Sequence, residues 1–140
     1  AGLATITPGS AFVGPAGALV IGVVAGFVCF EAVQIVKQKW KLDDTLDVFA
    51  VHGLGGILGI MMTSVLATTL GGLGYAQPDM TMGDAFVVQG IGVIATAAWS
   101  GVVTYILVKL VSSMVGFRVS VEEETEGLDI TTHGERGYEI

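Results

Sequence analysis

Three apolar runs of membrane-spanning length dominate this chain, at residues 14–36, 47–70 and 85–111. Each reaches the roughly 20 residues that a helix needs to cross about 30 Å of hydrocarbon. The first run is too long for a signal peptide and has no basic flank before it. Only 14% of the residues are charged, and the 21 glycines among 140 residues suit closely packed helices. The sequence therefore predicts an all-α polytopic membrane protein.

Proline, glycine and charged residues set the expected boundaries of the helices. Proline fits the first turn of a helix and disfavours continuation of the preceding one, so Pro8 and Gly9 end one helix and Pro15 opens the next. We expect a transmembrane region over residues 1–117, with the end of one helix at 1–8 and further helices at about 14–36, 45–70 and 84–117. Because the chain begins inside a helix, we interpret it as the C-terminal piece of a larger protein.

The distribution of charge predicts the topology. Lysines at positions 37, 39 and 41 form the only basic cluster and mark a cytoplasmic loop, with Trp40 as an interfacial anchor. The loop near residues 69–84 has no lysine or arginine, as expected outside the cell. The last run returns inward, so residues 118–140 form a cytoplasmic tail. This tail holds seven acidic and two basic residues, and nothing in it suggests nucleic-acid binding.

Few residues inside the apolar runs are polar or reactive. Cys29 is interpreted as a small buried hydrophobic residue, and no disulfide framework exists. Glu31 lies toward the end of its run, where it can reach the interface or pair with a lysine. Gly22 and Gly26 form a small-residue pattern that predicts close helix packing in the first run.

His52 is the residue of greatest functional interest, since an ionisable group within a membrane span is costly and marks a functional site by default. If the helix begins near Asp44, then Asp44, Val48 and His52 lie on one face, with His52 roughly 12 Å above the start. Asp43 or Asp44 is expected to cap the helix, and Asp47 to lie in its first turn.

A neutral imidazole at this depth donates and accepts one hydrogen bond and exchanges protons near neutral pH, which suits a weak base such as ammonia. The alternative is a structural histidine bonded to a neighbouring helix. Four glycines follow within seven residues, for close helix contact or for a narrow lumen; they are Gly53, Gly55, Gly56 and Gly59.

Three blocks of sequence carry a resemblance to a known family. Residues 43–59, D-D-T-L-D-V-F-A-V-H-G-L-G-G-I-L-G, resemble the tenth transmembrane segment of the Amt/Mep/Rh ammonium transporter family. Residues 1–15 are similar to its eighth segment and exit turn. Residues 126–135, E-G-L-D-I-T-T-H-G-E, are similar to the cytoplasmic tail of the Amt branch.

The resemblance implies a homotrimer of eleven-helix protomers with inverted repeats, in which this chain supplies the end of helix 8, helices 9 to 11 and the tail. His52 would be the second of the twin histidines in a hydrophobic pore, with Val48 and Thr7 near the conduction path. Asp44 and Asp47 would stand at the inner mouth. The first histidine and the aromatic gate would lie on earlier helices.

The tail has a regulatory role in the family, and many prokaryotic members bind a trimeric PII-type signalling protein at this face. On the residues alone, an acidic tail without fixed structure is the alternative. The motif instead implies an ordered regulatory segment, carried by Gly127, Asp129, Thr131, His133 and Gly134.

The expected function is ammonium or ammonia transport across the cell (plasma or inner) membrane, by a multi-pass protein that is not an enzyme and uses no metal or cofactor. An ammonium sensor that acts through its tail on a signalling partner is the alternative from a different class. A third possibility is an inactive remnant of a truncated gene. The lipid bilayer is an expected partner, and no nucleic-acid partner is expected.

Overall fold

A computed structural model of the chain describes residues 1–138. All regular structure in this range is helical, and the prediction of an all-α membrane protein is confirmed. Two compact units are present, Ala1–Thr96 and a second unit that begins at Ala97. The α-helices are α1 (Gly2–Ile6), α2 (Pro15–Gln34), α3 (Gly55–Leu66), α4 (Met82–Val115) and α5 (Val121–Glu126).

Segments with wider or tighter turns extend three of these helices. A 3-10 turn, Thr7–Gly9, continues α1, and π-helical turns with hydrogen bonds from residue i to i+5 follow α2 at Ile35–Lys39 and precede α3 at Val48–Leu54. A further π-turn occupies Asp129–His133 in the tail. Three continuous helices are long and apolar enough to cross a membrane, namely Pro15–Lys39, Val48–Leu66 and Met82–Val115.

The helix that carries His52 is shorter than the 45–70 expected from its hydropathy. It begins at Val48 because Asp47 has a left-handed backbone, with φ of 56°. Such a conformation interrupts a right-handed helix. The other end stops at Leu66, before a turn in which Leu70 and Gly71 also have positive φ. The last long helix runs over Met82–Val115 rather than 84–117.

Contacts between named residues give the directions of the helices in the first unit. A Cβ added at Gly17 would lie 3.5 Å from Leu66 Cβ, and the buried Cys29 lies beside Gly55 near the other end of α2. Higher numbers on α2 therefore meet lower numbers on the helix at Val48–Leu66, so the two are antiparallel. The short α1 runs parallel to α3, since Thr5 contacts Gly55 and Gly59 while Gly9 approaches Thr63.

The core of this unit is built from small side chains. Ala25, Cys29, Ala32 and Ala50 are buried, together with Ile21 and Val36. A Cβ at Gly59 would stand 1.9 Å from the Thr5 carbonyl oxygen, so the α1 backbone lies directly on α3. The close approach expected at Gly22 and Gly26 is seen at Gly22 only, since a Cβ added at Gly2 of α1 would lie 3.9 Å from Gly22 Cα. A Cβ at Gly26 meets nothing within 4 Å among residues 1–138.

The loop after α3 is fixed by hydrogen bonds to the ends of neighbouring helices. The Leu73 amide donates to the Phe12 carbonyl at 2.8 Å, and the Gly74 amide donates to the Ala67 carbonyl at 2.7 Å. The Tyr75 hydroxyl donates to the Ser64 carbonyl. These bonds hold the loop against the end of the helical unit.

In the second unit, the tail contains local structure rather than an extended acidic segment. Ser120 caps α5, with its hydroxyl accepting from the Glu123 amide and the Glu123 carboxylate accepting from the Ser120 amide. This is the reciprocal arrangement of a capping box. Arg118 donates to Glu124 from both Nε and Nη2, at 3.1 and 2.8 Å. The start of α5 is thus tied to the two residues Arg118 and Ser120 that precede it.

Candidate functional site

His52 lies in the π-turn Val48–Leu54, and its side chain is exposed on this chain. The helix begins only four residues earlier, so His52 is roughly 6 Å from the first helical residue rather than 12 Å from a start at Asp44. Val48 is 53% exposed. Four residues make nearly one wide turn of a π-helix, so Val48 remains on the side of the helix that bears His52.

The surroundings of His52 are open on this chain. No hydrogen bond to the imidazole is present within residues 1–138, so the alternative of a structural histidine finds no partner there. Gly56 also faces open space, whereas a Cβ at Gly53 would lie 3.3 Å from the Phe49 ring. The four glycines therefore divide, with Gly55 and Gly59 serving helix contact and Gly56 leaving free volume.

Asp44 caps the helix from outside it. One carboxylate oxygen accepts from the Val48 amide at 2.8 Å, and the other accepts from the Phe49 amide at 2.9 Å. These amides belong to the first helical turn, whose donors have no intrahelical acceptor. The expectation that Asp44 shares a helical face with Val48 and His52 is wrong, because the chain turns at Asp47 before the helix starts.

Asp47 is the residue before the helix rather than part of its first turn. Its Oδ1 forms an ion pair with Lys37 Nζ at 2.8 Å, across the loop that joins the two antiparallel helices. Lys37 Nζ also donates to the Thr45 carbonyl at 3.5 Å. The sequence suggested that this carboxylate complements the helix dipole from the first turn. In the structure it lies before the helix and closes the loop.

Thr7 lies in the 3-10 turn after α1, and its side chain is exposed. Its hydroxyl donates to the Leu3 carbonyl at 2.7 Å, one turn earlier. Thr7, Val48 and His52 are thus all accessible on the first unit, and none is covered by residues 1–138. The structure joins Thr7 to neither of the others by a hydrogen bond in this range.

The tail residues singled out from the sequence form a compact turn of their own. Gly127 has φ of 104° and Gly134 has φ of 67°, values that glycine adopts readily. The Thr131 hydroxyl and amide both donate to the Gly127 carbonyl, at 3.1 and 3.0 Å. Asp129 and His133 begin and end the π-turn between them. An open depression of about 450 Å³ is lined by Gly127, Asp129, Ile130, Glu135, Arg136, Gly137 and Tyr138.

No group of three metal-ligating side chains is found among the described residues. The site therefore consists of one imidazole, apolar neighbours and a capped helix start. Such a group of residues can hydrogen-bond a small polar molecule and exchange a proton with it.

The family model for the Ammonium Transporter Family matches residues 1–138. The chain belongs to the ammonium transporter family. An ammonium transporter from Bacillus subtilis is 40% identical over 142 residues, and ammonium transporter Amt1 from Archaeoglobus fulgidus is 43% identical over 142 residues; both comparisons cover 99% of this chain. An ammonium transporter from Aquifex aeolicus is 40% identical over 144 residues, covering 100% of the chain.

The chain spans about a third of the length of these relatives, with 33 to 35% of each covered. Membership in a family of transporters agrees with the prediction that the protein is not an enzyme. The resemblance to ammonium transporters inferred from three motif blocks is thus confirmed at the level of the family.

Two residues of this unit are not predictable from the sequence. Lys37 is one of three lysines in a basic loop, and its pairing with Asp47, ten positions away, leaves no periodic pattern. Thr5 is fully buried, and its hydroxyl has no hydrogen-bond partner among the described residues. A threonine facing two glycines of another helix is a signal only after the helices have been paired.

Proposed function

We propose that this chain is the C-terminal portion of an ammonium transporter, from the end of helix 8 through helix 11 and the tail, and that His52 lines its pore. The observation that carries the proposal is an accessible histidine near the start of a membrane-length helix, in a member of the ammonium transporter family. An exposed ionisable group on a membrane span needs a cavity or a partner. A pore completed by the preceding helices supplies that cavity.

In this proposal the substrate is ammonium, which crosses as ammonia or as ammonium through a largely hydrophobic pore. His52 is one of two pore histidines and accepts a hydrogen bond or a proton from the substrate. Val48 and Thr7 line the path beside it, and Asp44 and Asp47 stand at the inner mouth. The complete protein is a homotrimer in the cell membrane with its tail in the cytoplasm.

The test uses the complete protein reconstituted in proteoliposomes, with ammonium-evoked current per folded protein as the readout. His52→Ala is expected to reduce the current at least ten-fold, since each 1.4 kcal/mol of lost stabilisation is a factor of ten. His52→Gln keeps a donor and an acceptor but cannot exchange a proton. Current lost in both variants indicates a proton-transfer role, and current kept in His52→Gln indicates hydrogen bonding alone.

Glu31→Gln is the matched control, because Glu31 is an ionisable group in another membrane-length helix and its side chain is also exposed. Its current is expected to equal that of the wild type. A wild-type current no larger than that of empty liposomes contradicts the proposed function. Wild-type current in His52→Ala removes His52 from the pore.

A second candidate is an ammonium sensor that signals through its tail, and the local order of that tail favours it. The Arg118–Glu124 ion pair, the capping box and the glycine-bounded π-turn give it defined shape without help from a partner. A PII-type protein is the partner that the family resemblance suggests. Deletion of residues 127–140 should then abolish partner binding while current persists, and unchanged binding contradicts this role.

A further inference from the structure

The loop between the two antiparallel membrane-length helices has strained backbone at two positions. Lys41 has φ of 52° and Asp47 has φ of 56°, and neither is glycine. A left-handed conformation costs a residue with a Cβ roughly 1–2 kcal/mol, and less for aspartate, whose short polar side chain tolerates it, so contacts in the loop favour it at Asp47. The strained Asp47 immediately precedes the helix that carries Val48 and His52.

Lys37 adds side-chain contacts to this conformation, beside the hydrogen bond that the Asp47 amide donates to the Asp44 carbonyl at 3.1 Å. Its ammonium group lies 2.8 Å from Asp47 Oδ1, an ion pair without hydrogen-bond geometry, and 3.5 Å from the Thr45 carbonyl oxygen, so one side chain contacts both the left-handed residue and the loop before it. We call these three groups the Lys37 bridge. The side chains of Lys37 and Asp47 are 39% and 32% exposed, so water screens the ion pair only in part.

The two helix ends that the bridge joins are both π-helical. Lys37 lies in Ile35–Lys39 and Asp47 precedes Val48–Leu54. Such wide turns are rare and occur often at functional sites. Asp44 uses both carboxylate oxygens on the amides of Val48 and Phe49, so the same loop fixes the first turn of the second helix. The start of that helix is therefore set by loop contacts, with the bridge supporting its strained residue.

We propose that Lys37 is a positioning residue for the pore, which acts through Asp47 to fix the π-turn that carries Val48 and His52. The inference rests on the proposed transport function, because the benefit of a fixed π-turn is a fixed imidazole. Lys37 need not touch the substrate. Its removal releases the left-handed Asp47, so the first turn of the helix opens more often and His52 loses its defined position.

Lys39 offers a matched control within the same π-turn. It is an exposed lysine two residues from Lys37, and no ion pair to it is present among residues 1–138. Lys37→Gln and Lys39→Gln change the net charge equally and leave side chains of similar length. Any difference between them measures the bridge rather than the charge of the loop.

The first arm of the test is hydrogen exchange in the complete protein, followed on peptides that cover residues 44–54 and, for comparison, residues 21–34. Lys37→Gln should speed exchange in 44–54 by about three- to ten-fold, because local opening follows the loss of the contacts that oppose it. Lys39→Gln should leave both peptides at the wild-type rate. Equal exchange rates for residues 44–54 in Lys37→Gln and Lys39→Gln overturn the proposed role of the Lys37 bridge.

The second arm is ammonium-evoked current per folded protein in proteoliposomes. Lys37→Gln should lower it by about three- to ten-fold, in step with the fraction of open π-turn. Lys37→Arg, which keeps a cation beside Asp47, should retain at least half of the wild-type current. Faster exchange in 44–54 with unchanged current overturns the positioning role and leaves a purely structural ion pair.

The arms also separate this inference from the transport proposal. A wild-type protein without current removes the pore, and the positioning role with it, whereas the exchange arm still reports whether the bridge exists. If Lys37→Gln fails to fold, Lys37→Arg decides. Wild-type exchange in 44–54 with at least half of the current in Lys37→Arg supports the bridge, and wild-type exchange with the current lost overturns the positioning role.

Discussion

Gly59 should not tolerate a side chain, because the backbone of α1 occupies the space where its Cβ would be. In Gly59→Ala that Cβ would stand 1.9 Å from the Thr5 carbonyl oxygen, 2.9 Å from its carbonyl carbon and 3.3 Å from its Cα. All three are backbone atoms, so no rotamer change relieves the overlap. The helices must separate by more than 1 Å to bring the shortest distance to about 3.3 Å.

That separation has a cost that can be estimated. A gap of 0.5–1 Å already loses a quarter to a half of the dispersion energy of the atoms that part, and overpacking of this kind costs about 1–3 kcal/mol or more. The gain in helix propensity from glycine to alanine offsets about 1 kcal/mol of this. We expect a net loss of up to roughly 2 kcal/mol for Gly59→Ala.

Gly56→Ala is the matched control on the same helix, three residues away. Its Cβ meets nothing within 4 Å among the described residues, so the change should be neutral or stabilise by up to about 1 kcal/mol. The assay is thermal unfolding of the detergent-solubilised complete protein. Gly59→Ala should melt several degrees below wild type, and an unchanged midpoint for Gly59→Ala would refute the close approach of α1 and α3.

Three further predictions concern single polar groups. Asp44→Asn replaces a carboxylate that accepts two amides and should destabilise the first helical turn by about 1 kcal/mol, measured as faster exchange of those amides. Hydrogen bonds from Ser120, first its amide and then its hydroxyl, lower the pKa of Glu123 below the ordinary 4.5, so α5 should gain stability above pH 4.5 and lose it as pH falls through the lowered pKa. Amide protection of residues 121–126, corrected for the pH dependence of intrinsic exchange, checks this, and Glu123→Gln should reduce the dependence, leaving the part that comes from the Arg118–Glu124 ion pair. Thr5→Val removes a buried hydroxyl with no partner in the described range and should raise the free energy of unfolding by up to about 1 kcal/mol. A higher melting temperature is the measurement that checks it.

The sequence predicts the membrane spans well because hydropathy acts over about twenty residues and tolerates local detail. Start positions depend instead on single residues. Asp47 is an ordinary N-terminal helix residue by composition, yet its left-handed backbone moves the start of the helix to Val48. Aspartate adopts this conformation more often than most residues, but nothing in the sequence marks Asp47 for it, and its contact with Lys37 comes from the other side of the loop.

The candidate site is predictable in part for the same reason. His52 stands out in sequence because an ionisable group in an apolar run is rare. The sequence does not show which glycines make helix contacts, because Gly55 and Gly56 differ only in which neighbour they face. Of Gly22 and Gly26, only Gly22 is approached by another helix within the described residues, and the buried side of α2 is made by Ile21, Ala25 and Cys29. Patterns within one helix cannot identify its neighbours.

The two aspartates before the His52 helix each have a partner within the chain, and this has a consequence for ion selectivity. The Asp44 carboxylate accepts hydrogen bonds from two backbone amides, and the Asp47 carboxylate forms an ion pair with Lys37. A cation at this end of the helix therefore meets carboxylates that are already compensated, and their attraction at a distance is weak compared with that of two bare charges. If this end of the helix is the inner mouth of the proposed pore, discrimination against sodium or potassium cannot rest on electrostatic concentration there. In that proposal it comes from the removal of the hydration shell farther in, where a substrate that can give up a proton has an advantage that a metal ion lacks.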